Sequence, residues 1–186
     1  YKIALVHQQQ LSRERDRLGL LLDVTNALVS SLDFDALFAA VTDCMRRAIP
    51  HDYASVALHD AESNLLRFQA VEVNSSQGLV RPQTPASAES TPAGVAFSSG
   101  KPAVFDSEAL NRFSPVAIQS MLGDGIQSLC CLPLVTKNGV LGTLNIGSRQ
   151  VGAFQQDDVD LLKQVAAQTA VALDNATAYQ QIASLK

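Results

Sequence analysis

The strongest constraint on the fold lies at residues 127–148. An apolar run over 127–136 meets Lys137-Asn138-Gly139, and a second apolar run returns over 140–148. Asn-Gly between two such runs is a hairpin signal, because these residues accept the backbone angles that a tight turn demands. A connection this short forces antiparallel pairing, since parallel neighbours need a long crossover. Residues of both parities are apolar, so both faces of this hairpin must be covered.

The chain on either side reads as follows. Residues 5–32 contain no proline and place Leu11, Leu18, Leu21, Leu22, Thr25, Leu28 and Val29 at helical spacing. A second helix is expected after Asp33, a good N-cap, with Leu37, Val41, Met45 and Ala48 on one face and a stop before Pro50. The period then becomes two. Ala54, Val56 and Leu58 alternate with Ser55, Ala57 and His59, and a turn at 60–64 leads to a partner strand at 65–73. The Ser-, Thr- and Pro-rich stretch 74–92 is expected to be a long mobile connection. Short elements follow: a helical turn or two over 94–99 ended by Gly100, a strand at 103–105, and a weak helix over 108–122 broken by Pro115. Finally, residues 154–185 contain neither Gly nor Pro and carry a helical stripe from Val159 through Leu162, Val165, Ala166, Thr169, Leu173 and Ala176 to Tyr179 and Ile182. At 1.5 Å per residue this helix is ~45 Å long, so one end should overhang a small domain.

The order is helix, helix, hairpin, loop with small helices, hairpin, helix. That is an α+β architecture: one antiparallel sheet, long terminal helices on one face, and only residues 74–123 left to roof the other. A space between a sheet and a loosely built roof is a common ligand site.

Composition narrows the function classes. At 47% hydrophobic and 17% charged the chain is globular, and its 186 residues suffice for a core without disulfides or metal. The net charge of -4 argues against direct nucleic-acid binding, which needs a basic stripe to neutralise phosphates. No apolar run reaches the ~18 residues of a membrane span. Cys44, Cys130 and Cys131 make a poor disulfide framework, since adjacent strand residues point to opposite faces. A reducing, cytoplasmic setting is the expectation. The chain begins at Tyr1 and ends within a helical pattern, which suggests a piece of a longer protein.

The run Ser128-Leu129-Cys130-Cys131-Leu132-Pro133-Leu134-Val135, followed by Gly139-Val140-Leu141-Gly142-Thr143-Leu144-Asn145-Ile146, resembles the two central strands of a GAF domain. Phe154, Asp157, Leu161-Leu162, Ala166, Ala170, Ala172 and Asp174-Asn175-Ala176 are similar to the last GAF helix, and the segment 21–27 with Leu32-Asp33 and Leu37 to the first ones. The flavour is that of the GAF modules of formate hydrogenlyase transcriptional activators. The resemblance implies a six-stranded antiparallel sheet and a ligand pocket on the face away from the terminal helices. It implies a small regulatory effector, formate in that context, and control of a downstream sigma-54-dependent ATPase. The expected division is a helical linker over 1–17, the domain over 18–176, and the start of a second helical linker to an output domain over 177–186.

The candidate ligand contacts are Arg112, Phe113, Phe105, His59, Ser128 and Asn145. Arg112 offers a guanidinium fork for a small carboxylate. Phe105 and Phe113 read as cavity wall, His59 shares a face with Ser55 and Ala57, and Ser128 and Asn145 bring polar groups onto the central strands. No cofactor or metal is expected, because His51 and His59 have no carboxylate or thiol at ligand spacing. No catalytic set is expected either: 94–102 departs from a phosphate loop in its glycine spacing and at Pro102. Adjacent buried strand thiols are poor redox centres, although methionine sulfoxide reductases with this fold make Cys130 and Cys131 worth testing. The surplus apolar residues at Ile3, Leu5, Val6 and Leu11 and at Ala176, Tyr179, Ile182 and Leu185 point to a homodimer through the terminal helices. The alternatives are a ligand-free dimerisation module and a module of a sensor histidine kinase.

Overall fold

The computed structural model describes residues 2–30, 34–73, 79–80, 85–113 and 116–185. Helix α1 (Lys2–Ser30) is followed by α2 (Phe34–Ala48), on which Leu37, Phe38, Val41 and Met45 are all buried. Asp33, the expected cap, lies outside the described residues, as do the side chains of Leu18 through Val29. The chain then enters the sheet through β1 (Tyr53–Asp60) and β2 (Leu65–Val73). The loop expected over 74–92 contains two short strands, β3 (Leu79–Val80) and β4 (Ala86–Ser87). Two-residue strands show no periodicity, and only their pairing with β2 makes them visible.

Helix α3 (Pro92–Ser99) is capped at both ends. The Thr91 side chain accepts from the Gly94 N–H, and Gly100 ends the helix at a φ of 66°, where an L side chain is strained. Strand β5 (Ala103–Asp106), helix α4 (Ser107–Leu110) and helix α5 (Val116–Gly123) complete the middle of the chain. The central hairpin follows as β6 (Ser128–Thr136) and β7 (Gly139–Ser148), and α6 (Gln156–Ser184) closes the chain.

The strand order is β3-β2-β1-β7-β6-β5, with β4 also paired to β2, so that seven strands fill six positions. Every pairing is antiparallel. The first and last hairpins therefore meet at the β1–β7 seam, where Ser55 faces Asn145 and Ala57 faces Thr143. At that seam the backbones approach closely: a Cβ on Gly142 would sit 1.9 Å from the Ala57 carbonyl oxygen.

Two apolar layers flank the sheet. On one side Ala54, Val56, Cys130, Leu132, Leu134, Leu144 and Ile146 pack with α2 and with Val159, Leu162, Val165, Ala166 and Leu173 of α6. On the other, Ala57, Leu66, Leu129 and Cys131 pack beneath Ala93 and Ala96 of α3, Leu110 of α4 and Ile118 of α5. Helix α1 packs along α2 and α6. Its residues 2–16 are exposed, including Ile3, Leu5, Val6 and Leu11, and Ile182 and Leu185 are exposed at the end of α6, whereas Ala176, expected in the same surplus, is buried within the domain and the Tyr179 side chain lies outside the described residues. No helix among the described residues is long and apolar enough to cross a membrane.

Candidate functional site

The roofed face of the sheet carries a polar row within its apolar layer. Strand alternation turns Tyr53 and Ser55 of β1, Thr143 and Asn145 of β7 and Cys131 of β6 to this side. The register aligns them, with Ser55 opposite Asn145 and Asn145 opposite Cys131. The Tyr53 hydroxyl donates to Ser55 Oγ at 2.9 Å, and Asn145 Nδ2 donates to the same oxygen at 3.1 Å. Asn145 is 3% exposed and Thr143 is fully buried, yet Asn145 Oδ1 and Thr143 Oγ1, like His51 Nε2 just before β1, have no hydrogen-bond partner among the described residues. Buried polar atoms are nearly always paired, and each that is not costs ~1–3 kcal/mol.

The environment disfavours negative charge. Burial pushes the Tyr53 phenol up to about 12, against the opposing effect of its hydrogen bond to Ser55. Burial likewise holds the Cys131 thiol well above its ordinary value, with Cys130 adding to the effect. Cys130 is also pushed up to about 12 by burial and by the nearby Asp158 carboxylate. The two thiols belong to opposite layers of the molecule and are not bonded to each other.

The six residues expected from the sequence fall into three groups. Asn145, Phe105 and Phe113 lie on the roofed side of the sheet. The rings of Phe105 and Phe113 meet edge to face, 5.6 Å between centroids at 84°, against the layer that contains Leu129 and Cys131. His59 sits near the outer end of β1, at the rim. Its Nε2 donates to Asn64 Oδ1 at 2.8 Å and its ring lies 4.3 Å from that of Phe97 in the roof. Arg112 and Ser128 are elsewhere. Arg112 is exposed after α4 and pairs with Glu108 at 3.5 Å. Ser128 has the parity of the helix-packed face, and its hydroxyl donates to the Gln150 carbonyl at 2.8 Å.

Tyr53, Ser55, Thr143 and Cys131 were not among the expected contacts. Thr143 was within reach of the alternation rule, two residues from Asn145 on one strand. Ser55 was not, because it joins Asn145 through the long-range β1–β7 pairing. Among the described residues no three His, Cys, Asp or Glu gather to hold a metal ion.

A roofed antiparallel sheet with terminal helices behind it defines a class, and comparison with known proteins agrees. A family model for the GAF domain matches residues 31–174, and the chain belongs to that family. Over 185 residues it is 30% identical to the formate hydrogenlyase transcriptional activator FhlA of Escherichia coli strain K12, an alignment covering 97% of this chain and 26% of that protein. The chain thus spans about a quarter of the length of the curated relatives it matches. Among solved structures, the GAF domain of a phosphoenolpyruvate-protein phosphotransferase from Coxiella burnetii superposes with a TM-score of 0.76 at 16% identity, covering 90% of this chain and 98% of that one. The free methionine-R-sulfoxide reductase of Neisseria meningitidis, solved with its substrate, superposes with a TM-score of 0.69 at 17% identity, covering 88% and 91%. These likenesses establish the fold.

Proposed function

We propose that the chain is the sensory module of a transcription activator, binding a small effector beneath the α3–α5 roof and passing the change through its terminal helices to an output domain, a sigma-54-type ATPase. The observation that carries this reading is the pair of buried, unpartnered atoms on the roofed face, Asn145 Oδ1 and Thr143 Oγ1. A domain that only filled space would gain by making these positions apolar. The similarity to formate hydrogenlyase activators along 97% of the chain supports the regulatory context and makes formate the first effector to test. Signalling requires an effector that binds one of two states more tightly. Calorimetric titration of the chain with formate and other small polar molecules tests binding. A saturable heat is the expected result, and its absence across such a set would refute the sensor.

The module is read as a cytoplasmic homodimer. The exposed Ile3, Leu5, Val6 and Leu11 of α1 and Ile182 and Leu185 of α6 form an apolar surplus that a second copy would bury. Sedimentation that gives a monomer at micromolar concentration would refute this. Residues 1–17 and 177–186 are read as helical linkers on either side of the domain, a reading supported by the exposure of residues 2–16.

A ligand-free dimerisation module is the second reading, favoured by the same helix ends, and it predicts no stabilisation by any small molecule. A thiol enzyme is the third, raised by the reductase with this fold. Burial opposes it, since Cys130 and Cys131 lie in opposite layers and are held as thiols, whereas catalysis of that kind needs a thiolate with a resolving partner.

A further inference from the structure

Helix α6 carries a second pattern on the face turned away from the core. Val171, Asn175, Ala178, Ile182 and Leu185 follow one another at steps of four, three, four and three residues. These are successive d and a positions of a heptad, the spacing that keeps one seam facing a partner helix. At about 100° per residue the seam lies roughly 180° around the helix from Leu162, Ala166, Thr169 and Leu173, which face the core. All five seam residues are exposed, Val171 at 53%, Ile182 at 60% and Leu185 at 86%. Helix α1 packs along α6 but leaves this face open.

The seam fits a second copy of itself. In a parallel, in-register pair every residue meets its own counterpart, so the apolar positions meet apolar positions and Asn175 meets Asn175. An Asn at an a position lowers stability and specifies both the two-stranded state and the register, because the two amides bond each other only when they are level. That bond forms whichever end each amide presents, since each carries a donor and an acceptor. A slip of one heptad would set the amide against Ile182 and leave it unpaired. The preceding d and a positions are Gln164 and Gln168, so the apolar seam begins at Val171 and runs out along the helix. It covers only two heptads. The domain, however, already holds the start of α6 in place, so no fresh helix nucleation is required.

Resting on the homodimer reading above, we propose that α6 pairs with α6 of a second copy as a parallel, in-register two-stranded coiled coil, with Val171, Ala178, Ile182 and Leu185 as its apolar seam and Asn175 as the residue that fixes its register. This arrangement brings the C-terminal ends of the two α6 helices side by side.

The test uses the whole chain in a Cys44→Ala background, in which the remaining Cys130 and Cys131 are buried. Val171→Cys and Leu185→Cys, ~21 Å apart along the helix, are each oxidised alone and as a mixture. Sedimentation compares the parent with Ile182→Asp and Asn175→Ile. All four positions are exposed, so none of these substitutions touches the core.

The expected result is a disulfide-linked dimer from each single-cysteine variant and none between Val171→Cys and Leu185→Cys. Ile182→Asp should raise the dimer dissociation constant by about tenfold or more, because it sets two carboxylates in the seam. Asn175→Ile should give a tighter assembly that is no longer confined to dimers. Cross-linking between the two cysteine positions would show an antiparallel pair and overturn the inference, while leaving the homodimer standing. A parent dimer with no cross-link at either position, or one indifferent to Ile182→Asp, would do the same and move the interface to another face. An Asn175→Ile assembly no tighter than the parent would overturn the role of Asn175. A parent that is monomeric throughout would overturn both this inference and the homodimer reading.

Discussion

The two faces of the sheet are built from alternate residues of the same strands and answer to different demands. Behind the sheet, Leu144 and Ile146 of β7 meet Leu132 and Cys130 of β6 and the apolar stripes of α2 and α6. The polar residues of those helices satisfy themselves. Thr42 Oγ1 donates to the Phe38 carbonyl at 2.7 Å and Thr169 Oγ1 to the Val165 carbonyl at 2.8 Å. In front, Thr143 and Asn145, interleaved with Leu144 and Ile146, leave two buried atoms unanswered. The first face is organised for packing, and the second holds a row of polar groups within its apolar layer. The lesson is that alternation lets a single strand serve both purposes without compromise between them.

The comparison can be broken first at the seam. Gly142→Ala would place a Cβ 1.9 Å from the Ala57 carbonyl and 2.8 Å from the Leu58 Cα, both backbone atoms that cannot rotate away. We expect a loss of ~3 kcal/mol or more, or no folded protein, by urea unfolding. On the helix-packed face, Leu144→Ala should cost ~2–5 kcal/mol, since Leu144 is fully buried. A loss below ~1 kcal/mol would show that this layer is not the stabilising one.

Alkaline pH distinguishes groups on both faces. Tyr53 in front and Cys130 behind both have folded-state pKa values raised to about 12, from ordinary values of 10.0 and 9.0. The folded state holds these protons more tightly than the unfolded state does. Their contribution is therefore complete below pH 9 and is lost as pH rises from about 9 to 12. Unfolding free energies measured across that range should fall, and less steeply in Tyr53→Phe. An identical slope in Tyr53→Phe would contradict the buried position of the phenol. The smallest effect is expected for Thr143→Val. Replacing an unpartnered hydroxyl by a methyl should leave stability within ~1 kcal/mol and in the stabilising direction. A large loss would mean that the hydroxyl has a protein partner.

Local features were the ones legible in the sequence. The 128–148 hairpin, the α2 stripe at Leu37, Val41 and Met45, and the α6 stripe from Val159 to Ala176 were each readable from periodicity within one segment. Strands β3 and β4 were not, because two residues carry no period. At the site, Asn145, Phe105 and Phe113 were legible from alternation and from the apolar run around them. Ser128 lies on the other face: opposite Asn145 the hairpin register sets Cys131, so odd residues of β6 share the roofed face and Ser128 does not. Arg112 was chosen for its charge, but α4 is four residues long and leaves the arginine outside the layer. The Tyr53–Ser55–Asn145 chain depends on β1 lying beside β7, a pairing separated by 90 residues that no local pattern encodes.

The most direct measurement is a high-resolution crystal structure of the chain, inspected at β7. The account predicts a small molecule lodged between β7 and the α3–α5 roof, within ~3 Å of Asn145 or Thr143, after soaking with candidate effectors. Protein groups from the α3–α5 roof bonded to both side chains, or isolated waters alone, would contradict it.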